Sequence, residues 1–344
     1  MKKTLVAIAA ITAVTGAMAQ VTISGMMEIG VSGTKNSTSG TAVTTSTLGD
    51  TNGNNVINFV AKEDLGSGMS GDIQYGFGSS GDNGTSFTNY QTFAGLSGAF
   101  GRVQAGSFIS PQFNVNAGGD ATGAWSHNTA WVNQSTTATT RAKEFFPANQ
   151  LQYSLPTLVP GLGLSYTRKF GETTGTSIGS ADSYSASYAT GPFSIAYAYT
   201  SSKFSATATD IATGWNATYD AGVAKVYLLS TSLTQGSDSK ITGLSYGVSA
   251  PVGAFTFVAQ MTSASGVPSS YASAYTSTSA TAVAAVTTAA STVDQAGTDL
   301  QARYSFSKRT QAVVSYGRRT GWNGTTAAVG DSSVVQKVYL QHSF

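Results

Sequence analysis

The sequence predicts an all-β protein, a 16-stranded antiparallel transmembrane β-barrel in a single domain. Apolar and polar residues alternate along most of the chain, as in strands with one apolar and one wet face. Only 10% of the residues are charged, against about 25% in soluble domains. The chain also ends as a two-faced strand, with Val338, Leu340 and Phe344 on one side. A terminal strand needs a partner edge, and closing it onto the first strand provides one.

The first 19 residues are typical of a cleaved signal peptide. Two lysines precede the apolar run Leu5–Val14, and the small residues Ala17 and Ala19 follow it. We therefore predict a cleaved leader over 1–19 and one barrel domain over 20–344. Losing the two leader lysines leaves basic and acidic side chains equal in number, which argues against a nucleic-acid partner.

The predicted strands all show a period of two. Their apolar rows begin at Val21, Ile73, Leu162, Phe193, Trp215, Leu244, Leu300 and Val338. After the leader, no run approaches the roughly 18 uninterrupted apolar residues that a membrane helix needs. In lipid, only a closed barrel satisfies the backbone of a non-helical chain.

Short and long connections alternate between the predicted strands. Seven short turns and eight long polar stretches give sixteen strands, with both termini on the short-turn side. Bacterial outer-membrane barrels have short periplasmic turns and longer external loops, so the pattern predicts an outer-membrane location with lipid around the barrel. The long stretches are about 33–55, 79–89, 108–147, 169–182, 201–212, 230–240, 262–298 and 319–333.

One long stretch, 262–298, consists mostly of Ala, Ser and Thr. A helix is a possible interpretation, but the many Ser and Thr residues favour an exposed external loop.

A barrel of about 16 strands is too wide for side chains to fill, so its polar faces are expected to line a water channel. Any one of the charged residues could instead be a solvated wall residue that does not affect permeation. Together, however, the charges set the electric field in the lumen. Along each strand, every second residue faces the lumen. This parity predicts the lumen residues Glu28, Lys62, Asp72, Arg102, Gln152, Asp220, Lys225, Arg303 and Lys337.

The stretch 108–147 is long for a hairpin connection and holds two of the four tryptophans. Its aromatic content favours packing against a wall, so we expect it to fold inward and constrict the lumen. An external lid is the alternative. Its charged side chains include Asp120, Arg141 and Lys143.

Motifs for catalysis and cofactors are missing from the chain. It has no cysteine and only two histidines, and we find neither a G-x-S-x-G elbow nor a Gly-rich phosphate loop. We therefore expect no metal, no cofactor and no enzymatic activity.

Seven short segments, in order along nearly the whole mature chain, resemble the Gram-negative general porins of the betaproteobacterial type. The resemblance implies a homotrimer, a third external loop folded inward, and passive diffusion of small hydrophilic solutes and ions. It also implies that Phe344 is the signal read by the outer-membrane barrel assembly machinery. The segments are 61–69, 93–101, 161–166, 219–227, 251–254, 304–310 and the terminal Phe344.

The chain departs from this family where relatives commonly carry arginines. Aligning the motifs by eye puts Val56, Ser107 and Gln152 at those positions, so a strong anion preference is not implied. Arg102 and the two basic residues of the 108–147 stretch are near these positions in sequence and could supply the positive charge that the missing arginines would carry. We predict weak ion selectivity.

Three other interpretations remain open. A channel with one preferred solute would carry a row of lumen aromatics. A surface adhesin or structural barrel would have a blocked lumen. A soluble β-sandwich would have polar outer faces, which the rows of Tyr, Phe and Leu argue against.

Overall fold

The protein is described here by a computed structural model, which covers residues 20–38, 41–49, 55–79, 87–123, 146–172, 174–203, 205–236, 240–268, 292–321 and 329–344. These residues form seventeen strands and one short helix, α1 (Pro111–Gly118). The strands are β1 (Gln20–Thr38), β2 (Thr41–Gly49), β3 (Val56–Gly66), β4 (Met69–Gly78), β5 (Thr88–Gly98), β6 (Gly101–Ser107), β7 (Gln150–Ser154), β8 (Leu162–Lys169), β9 (Ala181–Thr190), β10 (Phe193–Lys203), β11 (Thr209–Asp220), β12 (Lys225–Gln235), β13 (Ile241–Val252), β14 (Phe255–Pro268), β15 (Thr292–Ser305), β16 (Thr310–Thr320) and β17 (Ser332–Ser343).

The strands close into an antiparallel ring, as the sequence predicts. From β3 to β17 each strand pairs with the next one in the chain. The ring closes where β1 pairs with β17 on one edge and with β3 on the other. The result is a closed barrel of sixteen strand positions, and the predicted number is confirmed.

The seventeenth strand, β2, shares one ring position with β3. The first part of β1 pairs with β3 and the later part pairs with β2. Asn55 lies at the junction, where its amide accepts a hydrogen bond from the Glu28 N–H and donates one to the Glu28 carbonyl. The side chain thus replaces the backbone pairing at the gap between the two segments.

Large apolar side chains point outward from the barrel. Tyr197, Trp215 and Leu244, on three of the predicted strands, are all about two-fifths exposed, whereas Asn216, next to Trp215, is buried. The predicted alternation of outward apolar and inward polar residues is confirmed. Within the described residues, no helix is long and apolar enough to cross a bilayer.

Aromatic side chains form clusters near both ends of the outer face. At the short-turn end, the ring centroids of Phe255 and Tyr304 lie 4.9 Å apart. At the opposite end, those of Tyr166 and Tyr184 lie 5.2 Å apart. Aromatic girdles at the two interfaces are typical of outer-membrane barrels.

The long connections contain more strand than the sequence predicts. The stretch 33–55 contains the end of β1 and all of β2, and the stretch 262–298 starts and ends as β14 and β15. Beyond the lipid both faces of a strand can be polar, so the apolar alternation disappears although the pairing continues. Residues 269–291 of the Ala/Ser/Thr-rich stretch, and the predicted leader, lie outside the described residues.

The last residue is held against the first strand. Phe344 N–H donates to the Gly25 carbonyl at 3.0 Å, and Gly25 N–H donates to the Phe344 carbonyl at 3.1 Å. A Cβ at position 25 would lie 2.6 Å from the Phe344 ring, so only glycine leaves room for the ring there.

Candidate functional site

The chain turns away from the wall at the end of β6. Ser110 caps the following helix, its hydroxyl accepting the Phe113 N–H at 3.2 Å, and Pro111 occupies the first turn. Proline is favoured there because its missing N–H would have no helical partner. The described part of the predicted inward stretch, 108–123, is called the inward segment below.

The helix of the inward segment lies across the lumen, because it follows β6 in the chain and contacts β9, β10 and β11. Val115 packs against Ala198 and Leu229. The Asn216 side-chain amide donates to the Val115 carbonyl at 2.5 Å. The faces of β10 to β12 that carry these contacts are therefore the inner faces.

Glycines allow this close approach. A Cβ at Gly119 would lie 2.7 Å from the Leu229 Cβ and 2.8 Å from the Asn216 Cβ. On the wall, a Cβ at Gly214 would overlap the Gln112 amide, and one at Gly247 would lie 2.7 Å from the Ala121 Cβ. The inward segment thus packs on a part of the inner surface where glycines, which have no side chain, leave space for it.

Two further side chains hold the chain after the helix. Gln260 on β14 accepts the Ala121 N–H at 2.7 Å, and Arg303 on β15 donates to the Thr122 carbonyl at 2.6 Å. We call the inner surface of β9–β15 that carries all these contacts the seat.

The inner surface of β3–β8 is different, and we call it the amide wall. Its half-buried inward side chains include Asn58, Gln74, Gln104 and Gln152. Gln74 donates to Asn58 at 3.1 Å, and Gln152 donates to the Thr167 hydroxyl at 2.8 Å. These groups are neutral and can exchange hydrogen bonds with water or a solute.

One ion pair interrupts the amide wall near the short-turn end. Arg102 Nη1 lies 2.6 Å from Asp72 Oδ1, and its Nη2 lies 2.8 Å from Asp72 Oδ2. The same guanidinium donates to Gln104 at 3.0 Å and to Ser97 at 3.1 Å. The pair crosses the intervening strand over Gly95, where a Cβ would lie 2.5 Å from Nη2.

Three predicted cations lie outside the amide wall: Lys225 and Arg303 on the seat, and Lys337 on β17. The Lys225 ammonium lies 5.1 Å from the centre of the Tyr227 ring. Arg303 Nε and Nη2 donate to Gln301 Oε1 at 2.9 and 2.7 Å, in addition to the bond with the inward segment. The register connects Lys225 to Lys337 in one row across the inner face, through Ser249, Val258, Gln301 and Ser315.

The predicted lumen residues fall into three groups. Inward and at least partly accessible are Lys62, Asp72, Arg102, Gln152, Asp220, Lys225, Arg303 and Lys337. Glu28, Ser107 and Asp120 are buried, which corrects the prediction that they line the open lumen. Arg141 and Lys143 lie outside the described residues.

Local structure explains the three buried residues. Glu28 lies at the junction of β2 and β3. The Ser107 hydroxyl donates to the Phe146 carbonyl at 3.1 Å, where the inward stretch leaves and rejoins the wall. The Asp120 carboxylate turns back on its own segment and accepts the Thr122 N–H at 2.7 Å.

Sequence reasoning missed the residues that hold the inward segment. Asn216 and Gln260 are inward by parity, but so are many other polar residues. Gly95 and Gly214 offer a signal, because a glycine among the inward residues of a strand indicates close approach of another group.

Comparisons with known proteins agree with this architecture. A family model described as Gram-negative porin matches residues 6–323. An anion-selective porin from Comamonas acidovorans is 20% identical, with a TM-score of 0.74 over 95% of this chain and 100% of that one. Salmonella typhi OmpF in complex with daunomycin is 14% identical, with a TM-score of 0.68 over 95% and 100%. Vibrio cholerae OmpT, in a trimer form, is 12% identical, with a TM-score of 0.67 over 95% and 99%. No curated protein sequence matches the chain significantly.

Proposed function

Because the chain belongs to the family of Gram-negative porins, we propose that small hydrophilic solutes and ions cross its lumen by passive diffusion past the inward segment. The protein is an outer-membrane channel for small solutes. The observation that carries the proposal is the inward segment, held against the inner wall at Asn216, Gln260 and Arg303. A chain fixed in this way narrows the lumen and leaves the amide wall accessible.

We also propose that the channel is weakly ion-selective. Two of the positions at which relatives commonly carry arginine are Val56 and Gln152, and the third, Ser107, is buried. Arg102 is paired with Asp72, so its charge is largely cancelled at the wall. The cations on the opposite side, such as Arg303, favour a slight preference for anions.

Liposome swelling with sugars of graded size tests the passage of solutes. We expect uptake that falls smoothly with solute size. One strongly favoured solute with saturable uptake would instead indicate a solute-preferring channel. No uptake of any sugar by correctly assembled protein would overturn the proposal and favour a structural or adhesive barrel.

A homotrimer is the proposed assembly, supported by the trimer form of the Vibrio cholerae protein that shares this fold. Detergent-extracted protein should then migrate as a high-mass band that heating converts to a monomer. A single low-mass folded band would contradict the trimer.

We further propose that residues 1–19 are removed on export and that the assembly machinery reads Phe344. The mutual hydrogen bonds between Phe344 and Gly25 support a role at barrel closure. Deleting Phe344 should reduce the amount of folded protein in the outer membrane, and unchanged assembly would contradict this role.

A further inference from the structure

The ion pair on the amide wall is built to cancel charge. Arg102 and Asp72 make two parallel hydrogen bonds, the bidentate geometry that is strongest between guanidinium and carboxylate. Ser97 and Gln104 occupy further donors of the same guanidinium. Gly95 gives the pair the space to lie flat across β5.

The pair is not sealed inside protein. The side chains of Arg102 and Asp72 are 30% and 15% exposed, on the face of the sheet that borders the lumen. Lys62 is the register partner of Asp72 on the neighbouring strand and is exposed. If Asp72 lost its charge, two cations would remain at the same height on this wall.

We infer that Asp72 is a specificity-determining residue, whose carboxylate cancels the charge of Arg102 on the β3–β8 side of the lumen and leaves Lys62 as the cation at that height. This inference rests on the proposed function as a channel. Permeating anions then meet Lys62 and the cations outside the amide wall but not the charge of Arg102, and the selectivity of the channel stays weak.

The test is the reversal potential of single channels in a KCl gradient near about 0.1 M, where the Debye length is about 10 Å. Asp72→Asn should shift the chloride-to-potassium permeability ratio toward chloride by about two- to threefold, as expected for a unit charge about 7 Å from a passing ion in water. Arg102→Gln should shift the ratio toward potassium. The double variant should return to the wild-type ratio, because both charges are gone.

A second ion pair provides the matched control. Arg168 and Asp182 lie 2.5 Å apart on the outer face, and both side chains are about one-third exposed. Asp182→Asn removes the same charge from the same kind of pair, but away from the lumen. It should leave the reversal potential unchanged, and at about 1 M salt the shift in Asp72→Asn should shrink as the Debye length falls to about 3 Å.

The outcomes are separable. Wild-type protein that assembles but does not conduct would overturn the proposed function itself. Conducting Asp72→Asn channels with the wild-type ratio, or an equal shift in Asp182→Asn, would overturn only the role of Asp72. If Asp72→Asn does not assemble, Arg102→Gln decides, because an absent shift toward potassium contradicts the inference equally.

Discussion

The seat and the amide wall belong to one sheet, and in both the side chains alternate between the lipid and the lumen. Their inner faces are nevertheless built differently. On the seat, small residues such as Gly214 and Ala198 leave room for the inward segment, and Asn216 donates a hydrogen bond to the backbone of that segment. On the amide wall, Gln104 and Gln152 occupy the corresponding space themselves. The comparison teaches that the size of the inward side chain decides whether a strand faces protein or water.

The two surfaces also differ in burial. Asn216 and Gln260 are only 4% and 2% exposed, whereas the amides of the opposite wall are half-buried. A buried amide that loses its partner costs more than one that water can reach. Substitutions on the seat should therefore have larger effects than the same substitutions on the amide wall.

The largest effect is expected where the inward segment touches the seat most closely. Gly119→Val would drive a branched side chain against the Cβ atoms of Leu229 and Asn216, neither of which a rotamer change can move. Such overpacking costs about 1–3 kcal/mol. Because the segment can lift away while the barrel stays closed, we expect higher single-channel conductance and a larger solute cutoff.

Gly33→Val is the control for this substitution, since nothing lies within 4 Å of a Cβ at position 33. It should keep the wild-type conductance. If Gly119→Val also conducts like the wild type, the inward segment does not limit permeation and the comparison of the two surfaces loses its functional meaning.

A smaller effect is expected from removing one hydrogen bond on each side. Asn216→Ala would remove the side-chain hydrogen bond to the Val115 carbonyl, which would keep only the hydrogen bond from the Gly119 N–H, at 3.3 Å, at the end of the helix. We expect the free energy of unfolding to fall by about 0.5–1.5 kcal/mol, seen as a lower temperature of the heat-induced shift in migration, and the open-channel current to become noisier.

Asn58→Ala is the matched substitution on the amide wall. Its partner Gln74 can turn to water, so the stability should change by no more than about 0.5 kcal/mol and the noise should not rise. Equal losses in the two variants would show that burial does not distinguish the two surfaces.

The sequence predicts the barrel well because alternation is a local property. Each strand carries its own apolar row, so the sixteen positions and the outward residues, such as Trp215 and Leu244, follow from short segments. The inward segment is less predictable, because its partners lie far away in the chain. Val115 meets Asn216 101 residues later, and Thr122 meets Arg303 181 residues later.

Charge alone was also an incomplete guide to the lumen. Parity correctly turns Glu28 and Asp72 inward, but it does not distinguish a buried carboxylate from one that faces water. The pairing of Arg102 with Asp72 depends on Gly95, on the strand between them. Only the register of three strands together brings these residues into contact.

The smallest effect is expected from Gly95→Ala, which changes no charge. The new Cβ would lie 2.5 Å from Arg102 Nη2 and 2.9 Å from Asp72 Oδ1, both at the ends of flexible side chains. The pair should open and lose one of its two hydrogen bonds, at a cost of about 1 kcal/mol.

The control is Gly71→Ala on the neighbouring strand β4, where the closest atom, in Leu65, would lie 3.6 Å from the Cβ. Its melting temperature should not fall. Because Gly95→Ala leaves the net charge of the wall at its wild-type value, its reversal potential should move less than that of Asp72→Asn. A shift as large as that of Asp72→Asn would mean that the geometry of the pair, and not the cancellation of charge, sets the selectivity.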